Sequence, residues 1–230
     1  PYGNWGSRKS LMASLDQSLV RMGLDYVDVF YSHRYDPETP LEETMQALVD
    51  IVRQGKALYV GLSKYPAGKA EEAYRYLEAR DVHCLLYQGR YNLFDRAPEE
   101  EGILGQARAY GVGFIAFSPL AQGLLTSRYL QGVPEDSRMA QGRFLKREVL
   151  TEAVLGKIKA LDRVAADRGQ TLAEMSLAWV LKDELVTSVI IGASSVAQLE
   201  DNLKALRKVD FSREELDRIE AICHTPDGGQ

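Results

Sequence analysis

Five short apolar runs in this 230-residue sequence each end in residues able to bind or orient a ligand. YVDVFYS, from Tyr26 to Ser32, leads into His33-Arg34-Tyr35-Asp36. ALYVGL, from Ala57, leads into Ser63-Lys64. VHCLLY, from Val82, leads into Gln88 and then Tyr91-Asn92-Leu93. VGFIAF, from Val112, leads into Ser118-Pro119-Leu120 and Gln122-Gly123-Leu124-Leu125-Thr126. TSVII, from Thr187, leads into Gly192-Ala193-Ser194-Ser195. A neutral imidazole can orient a polar group, and amides and hydroxyls can hydrogen-bond a ligand edge. An aromatic face such as that of Phe117 can carry a planar ring. Gly-rich turns bring backbone N–H groups to an anion. No Cys/His/Asp set has metal-ligand spacing, and there is no G-x-S-x-G nucleophile elbow. His83 and His224 have no comparable setting. These residue types alone define a ligand-binding α/β protein.

The elements that must carry these residues alternate. Ser7 caps a helix with apolar positions at Leu11, Leu15, Leu19 and Met22, closed by Gly23. Thr39-Pro40-Leu41-Glu42 reads as a capping box opening a helix to Gly55. Further helices are expected over 67–80, 100–110, 151–168, from a Thr171–Glu174 capping box to about 183, over 195–206, and over 212–223 from Ser212–Glu215. Glu99-Glu100-Glu101 suits a helix N-terminus. A long connection, 119–147, holds Gly123, Gly132, Pro134 and Gly142. Connections of that length in compact domains are functional or disordered. The residues after His224 read as a frayed tail.

Strands alternating with helices imply parallel pairing through right-handed crossovers. Nearly continuous apolar strands imply burial on both faces. Doubly wound sheets and α/β barrels both meet this pattern, and the absence of G-x-G-x-x-G after a strand weighs against the dinucleotide fold of that name. In either architecture the functional face lies at the carboxyl ends of the strands. No low-complexity linker divides the chain, so a single domain is expected over 1–230.

Composition narrows the classes. With 45% hydrophobic residues and 28 Lys+Arg against 33 Asp+Glu, for a net charge of −5, the chain is not of the disordered kind. It has no basic stripe for nucleic acid and no eighteen-residue apolar run to span a membrane. Two cysteines, Cys84 and Cys223, make no disulfide framework and fit a reducing compartment such as the cytoplasm. Pro1 is not an initiator methionine, so the chain is expected to begin inside a longer protein.

YVDVFYSHRYD, GKALYVGLSKY, YQGRYNL, GFIAFSPLAQGLLTSRY and SVIIGASSVAQLEDN resemble, in order and spacing, successive motifs of the aldo-keto reductases, from Leu15 to about Asn202. The HRxD form at His33–Asp36 and the AxGLLT form at Ala121–Thr126 most resemble the bacterial glyceraldehyde 3-phosphate reductase branch. The β-subunits of voltage-gated potassium channels are relatives of that branch. The resemblance implies a (β/α)8 TIM barrel that binds NADP(H), present here as an incomplete barrel of about strands 4–8 with their helices. It implies reduction of small carbonyl substrates by hydride transfer, with a Tyr acid, a Lys and an Asp that tune it, and a His that orients the carbonyl. A Lys⁺ near the Tyr favours phenolate and lowers its pKa. His33 matches the orienting histidine. The Asp, Tyr and Lys have no match and are expected upstream. Tyr2-Gly3 looks superficially like the family's Tyr-Gly but lies one βα unit too late, and Lys9 sits on a capped helix as a solvated charge. Without those three groups the 230-residue chain is expected to be inactive.

The cofactor residues carry over more fully. Ser63 and Gln88 match the partners of the nicotinamide carboxamide, with Lys64 where Asn or Ser is usual. Phe117 matches the aromatic that stacks on the nicotinamide. Ser118, Leu120, Gln122, Gly123 and Leu124 match the loop over the pyrophosphate, and Arg128 stands where relatives often have Lys. Gly192, Ser194, Gln198, Asp201 and Asn202 match the adenosine end. Ser194-Ser195 opens a helix, a setting that favours an anion. Relatives often carry Arg or Lys at the Ser195 position to hold the 2′-phosphate, so NAD stays open beside NADP. Arg34 is open to two readings, a contact to a substrate phosphate or a solvated surface charge. No nucleic acid, membrane or metal partner is implied, and a homo-oligomer stays open. The alternative is a nucleotide-binding regulatory subunit like the channel β-subunits.

Overall fold

The computed structural model describes residues 5–130 and 149–224. They fall into two compact units, Pro1–Gly89 with Ala97–Ile115, and Arg90–Arg96 with Ala116–Gln230. Among the described residues the strands are β1 (Val27–Ser32), β2 (Ala57–Ser63), β3 (Cys84–Arg90), β4 (Gly113–Phe117) and β5 (Ser188–Ile190), and in the first unit β1, β2 and β3 lie side by side in chain order.

In the first unit, helix α1 (Arg8–Met22) starts where Ser7 accepts the Ser10 N–H on its side chain, and stops where Gly23 turns left-handed at φ 67°. Leu11, Leu15 and Leu19 are buried, whereas Met22, at the end of the expected stripe, is exposed. Leu15 and Leu19 form a core with Ile51 and Ala57. Ile51 belongs to α2 (Leu41–Arg53). The capping box expected there does not form. Pro40 is the cap residue and has no side-chain bond to the helix, because the Thr39 hydroxyl donates to Asp36 Oδ2 at 2.8 Å instead. The single helix expected over 100–110 is two, α4 (Ala97–Glu100) and α5 (Ile103–Ala109), parted by Gly102 at φ 74°. Helix α3 (Ala67–Glu78) precedes them.

Strand pairing in this unit is parallel. Ser32 lies beside Leu62, and Ser63 beside Gln88, with a register shift between Val60 and Gly61. That register brings the carboxyl ends of three strands to one edge. Burial on both faces holds for Val60–Ser63, but Leu58, Tyr59 and Leu85 stay half exposed, since apolar character alone does not fix burial. Gly89 is required by packing. A Cβ there would stand 2.7 Å from the Phe114 ring, which is fully buried and stacked on Tyr87.

In the second unit, β4 is followed by 3-10 turns at Ala121–Gly123 and Ser127–Tyr129, which occupy the described part of the long connection. Residues 131–148, the remainder of that connection, lie outside the described residues, as do Tyr2 and the tail after His224. Helices α6 (Glu152–Asp167), α7 (Leu172–Val180), α8 (Val196–Leu203) and α9 (Arg213–Cys223) follow. Complete capping boxes form at Thr171/Glu174 and Ser212/Glu215. The helix expected to reach Leu206 ends at Leu203 and tightens into a 3-10 turn, Lys204–Arg207. Arg168, buried at the end of α6, pairs with Glu215 and lies over the Phe211 ring. Among the described residues no helix is long and apolar enough to cross a membrane.

Gly89→Ala should destabilise the protein by roughly 1–3 kcal/mol, the usual cost of overpacking a rigid core. Phe114→Leu added to it should recover part of the loss. Urea denaturation of the single and double variants checks both outcomes.

Candidate functional site

Within the first unit the aligned strand ends present His33, Arg34, Ser63, Lys64 and Gln88. His33 and Arg34 are exposed, just past the end of β1. Partial burial of the imidazole, then the charges of Arg34 and Lys64, hold the His33 pKa below 6.5, so the ring is neutral at pH 7. Ser63 is buried, and its hydroxyl donates to the Gln88 backbone carbonyl at 2.8 Å. That proton ties β2 to β3, which leaves the Ser63 oxygen as an acceptor toward any ligand. The Gln88 side chain hydrogen-bonds Tyr31, whose pKa burial pushes up. Lys64 is exposed and takes a left-handed φ of 54°.

The loop carrying His33 is anchored on both sides. Asp36 accepts the Gly6 N–H at 2.8 Å, the Thr39 hydroxyl at 2.8 Å and the Glu38 N–H at 3.1 Å. The Gly6 and Thr39 bonds hold its carboxyl below the usual range. Thr44 donates to the Gly6 carbonyl at 2.7 Å. The residues ahead of α1, the loop after β1 and the first turns of α2 thereby share one buried network. Asp36 is legible only as part of the HRxD run; its Gly6 partner lies 30 residues away, whereas Glu38 and Thr39 are neighbours.

Within the second unit a cavity of about 800 Å³ opens at the end of β4. Its walls include Phe117, Ser118, Leu120, Gln122, Gly123, Arg128, Gly192, Ser194 and Gln198, all of the expected cofactor set, then Pro119, Thr126 and Ala193, strand-end residues given no cofactor role, and Tyr129, Ile190 and Ile191. The volume is that of a small-molecule or cofactor site. The turn after β4 is sharply bent: Ser118, Ala121 and Gln122 are left-handed at φ 53°, 47° and 60°. The N–H groups of Ala121, Gly123 and Leu124 already donate to the carbonyls of Ser118, Leu120 and Ala121, so a ligand oxygen must find other donors on this turn. Asn92 holds the turn in place. It is buried, its Nδ2 donates to the Ser118 carbonyl at 3.0 Å, and its Oδ1 accepts the N–H groups of Phe94 and Asp95.

Ser63 and Gln88 belong to the first unit, and three expected residues of the second unit lie off the cavity wall. Leu124 is buried in the core, and Asp201 is exposed and paired with Lys204 at 2.6 Å. Asn202 is buried on α8. At the start of α8 the donors are already engaged. The Ser194 N–H and hydroxyl both donate to Gln198 Oε1, at 2.7 and 2.9 Å. The Gln198 side-chain oxygen therefore takes the position of an acceptor that an anion would otherwise supply. Of the five buried side-chain polar atoms without a hydrogen-bond partner among the described residues, two belong to the expected cofactor set: Gln122 Oε1, on a residue of the cavity wall, and Asn202 Nδ2. An acceptor and a donor left unsatisfied at residues of this kind fit a ligand that completes them.

The Aldo/keto reductase family model matches residues 1–224. L-glyceraldehyde 3-phosphate reductase of Escherichia coli (strain K12) is 50% identical over 232 residues, covering 99% of this chain and 66% of that protein. A "Probable voltage-gated potassium channel subunit beta" of Oryza sativa subsp. japonica is 38% identical over 224 residues, covering 95% of this chain and 68% of that protein. Among solved structures, a thermostable aldo-keto reductase in complex with the inhibitor epalrestat superposes with a TM-score of 0.72 at 30% identity, covering 94% of this chain and 67% of that one. The chain thus spans about two thirds of the length of the relatives it matches.

A histidine NMR titration should place the His33 midpoint below 6.5, with Arg34→Ala and Lys64→Ala each moving it upward. Because the fold favours the neutral ring, the stability held at this site is full above pH 6.5 and falls as pH drops through the lowered value. A wild-type midpoint at or above 6.5 contradicts the electrostatic account.

Proposed function

The chain belongs to the aldo/keto reductase family, and from that premise we propose that it forms the greater part of an NADP(H)-dependent carbonyl reductase of small aldehydes. Glyceraldehyde 3-phosphate and methylglyoxal represent the substrate class. The observation that carries this reading is the cavity after β4 in the second unit, walled by residues the family resemblance assigns to the cofactor and flanked by the unpartnered Gln122 Oε1. NADPH would supply the hydride when bound. Phe117 would offer its face to the nicotinamide, Ser63 and Gln88 would meet the carboxamide, and Ser118 to Gly123 would border the pyrophosphate. Gly192, Ser194, Gln198 and Asn202 would hold the adenosine end. Arg128 adds positive charge near the phosphates. NAD is the competing cofactor, since no Arg or Lys stands at the Ser195 position.

His33, neutral at pH 7 by its lowered pKa, would donate one hydrogen bond to the substrate carbonyl oxygen and fix its approach. Arg34 beside it suits a substrate phosphate. The proton would come from a Tyr acid outside the described residues, together with the Lys and Asp that tune it. On this reading the five strands are the later ones of one barrel domain over 1–230, in a cytoplasmic protein that is open to self-association. The half-exposed Leu58, Tyr59 and Leu85 on the strands support a sheet that further strands complete. The 230-residue polypeptide taken alone then binds NADPH weakly and reduces nothing.

A second reading, a nucleotide-binding regulatory subunit, rests on the same cavity and on the 38% identity to the rice channel-subunit sequence. Turnover separates the two. The full-length protein should oxidise NADPH in the presence of glyceraldehyde 3-phosphate or methylglyoxal. His33→Ala should lower kcat/KM by about a hundredfold, as expected for loss of an oriented donor. Phe117→Ala should weaken NADPH binding roughly tenfold, the order of a lost stacking contact. Fluorescence titration and stopped-flow absorbance measure these values. NADPH binding without turnover of any small aldehyde would favour the regulator.

A further inference from the structure

Resting on the reductase reading of His33, we propose that Tyr65 is the residue that positions this histidine. His33 is exposed and makes no side-chain hydrogen bond among the described residues, so its direction is set by the backbone on either side. Both sides meet Tyr65. Ser32, the residue before His33, is buried, and its hydroxyl lies 2.7 Å from the Tyr65 hydroxyl. Tyr35, two residues after His33, meets the Tyr65 ring edge to face, with centroids 5.6 Å apart and planes at 62°.

Tyr65 is itself fixed. It is 2% exposed, and its backbone carbonyl accepts the Tyr87 hydroxyl at 2.7 Å. It follows Lys64, whose left-handed backbone ends β2 sharply. One side chain therefore joins the segment that bears His33 to the strand end that bears Ser63. Burial pushes the Tyr65 hydroxyl up to about 12, so it stays protonated and keeps its bond to Ser32 across the working pH range. It is too deep to touch a substrate, and it acts only through the histidine it holds.

The geometry separates positioning from packing. Tyr65→Phe keeps the ring and removes the hydroxyl; Ser32→Ala removes the same bond from the other side. In the full-length protein with NADPH and a small aldehyde, each should lower kcat/KM for the aldehyde about tenfold, the order of one lost hydrogen bond. The NADPH dissociation constant should hold. The double variant should fall no further than either single one. In a His33→Ala background, Tyr65→Phe should have no additional effect, because the ring it positions is gone. Equal losses with and without His33, or no loss at all, overturn the proposal.

A second readout does not depend on turnover. The imidazole signals assigned by their loss in His33→Ala should shift or broaden in Tyr65→Phe, while those of His83 and His224 stay in place. Unmoved His33 signals also overturn the proposal. Wild-type protein that binds NADPH but reduces nothing refutes the reductase reading, and the NMR comparison still decides whether Tyr65 orients His33.

Discussion

Parallel pairing is the constraint from which the rest of the structure follows. A strand that runs parallel to its predecessor can be reached only by a crossover, so each strand delivers its carboxyl end to the same edge. In the first unit the pairs Ser32–Leu62 and Ser63–Gln88 show the result directly. Residues from well-separated parts of the chain leave the sheet level with one another. The helices between them return the chain and cover the sheet. Their apolar faces, such as Leu15 and Leu19 against Ile51 and Ala57, stabilise the crossover and contact no ligand.

The strand ends carry backbone strain that the surroundings must hold. Lys64, Ser118, Ala121 and Gln122 are left-handed without being glycine, at about 1–2 kcal/mol each. After β4 the compensation is visible. Asn92 takes the Ser118 carbonyl, Thr126 donates to the Gly123 carbonyl at 2.8 Å, and the neighbouring Leu125 and Tyr129 are buried. A turn held this way is preorganised. Strain of this kind concentrates at functional positions, and here it borders the cavity after β4.

Local chemistry was the legible part of the sequence. Ser7, Gly23, Thr171 and Ser212 act as caps because each needs only neighbours a few residues away. Thr39 shows the limit. Its spacing to Glu42 is that of a cap, but the helix starts one residue later, with Pro40 as its cap, and the Thr39 hydroxyl is turned to Asp36. Likewise the strand ends could be read, whereas the side chains that hold them could not. Asn92 reaches Ser118 and Tyr65 reaches Ser32 across stretches of 26 and 33 residues, and no periodicity encodes such a pair. The Gln198 contact with Ser194 is short in sequence, and it engages donors that a phosphate oxygen would equally satisfy.

Residue types alone would also misplace the acid. A reductase that protonates through tyrosine needs a hydroxyl that is reachable and whose pKa a cation lowers. One Tyr–Lys contact lies among the described residues of the second unit, where Lys182 donates to the Tyr91 hydroxyl at 3.2 Å. Tyr91, however, is fully buried, its ring against Trp179, and Lys182 lies 4.0 Å over the same indole. That arrangement satisfies a buried hydroxyl and stacks a cation; it cannot deliver a proton to a substrate. Tyr65 and Tyr87 are moved the other way, both pushed up to about 12 by burial. His33 cannot replace them, since its lowered pKa leaves it neutral and able to orient rather than to protonate at pH 7. Burial and pKa thus take Tyr65, Tyr87, Tyr91 and His33 out of the acid's role in the proposed reaction.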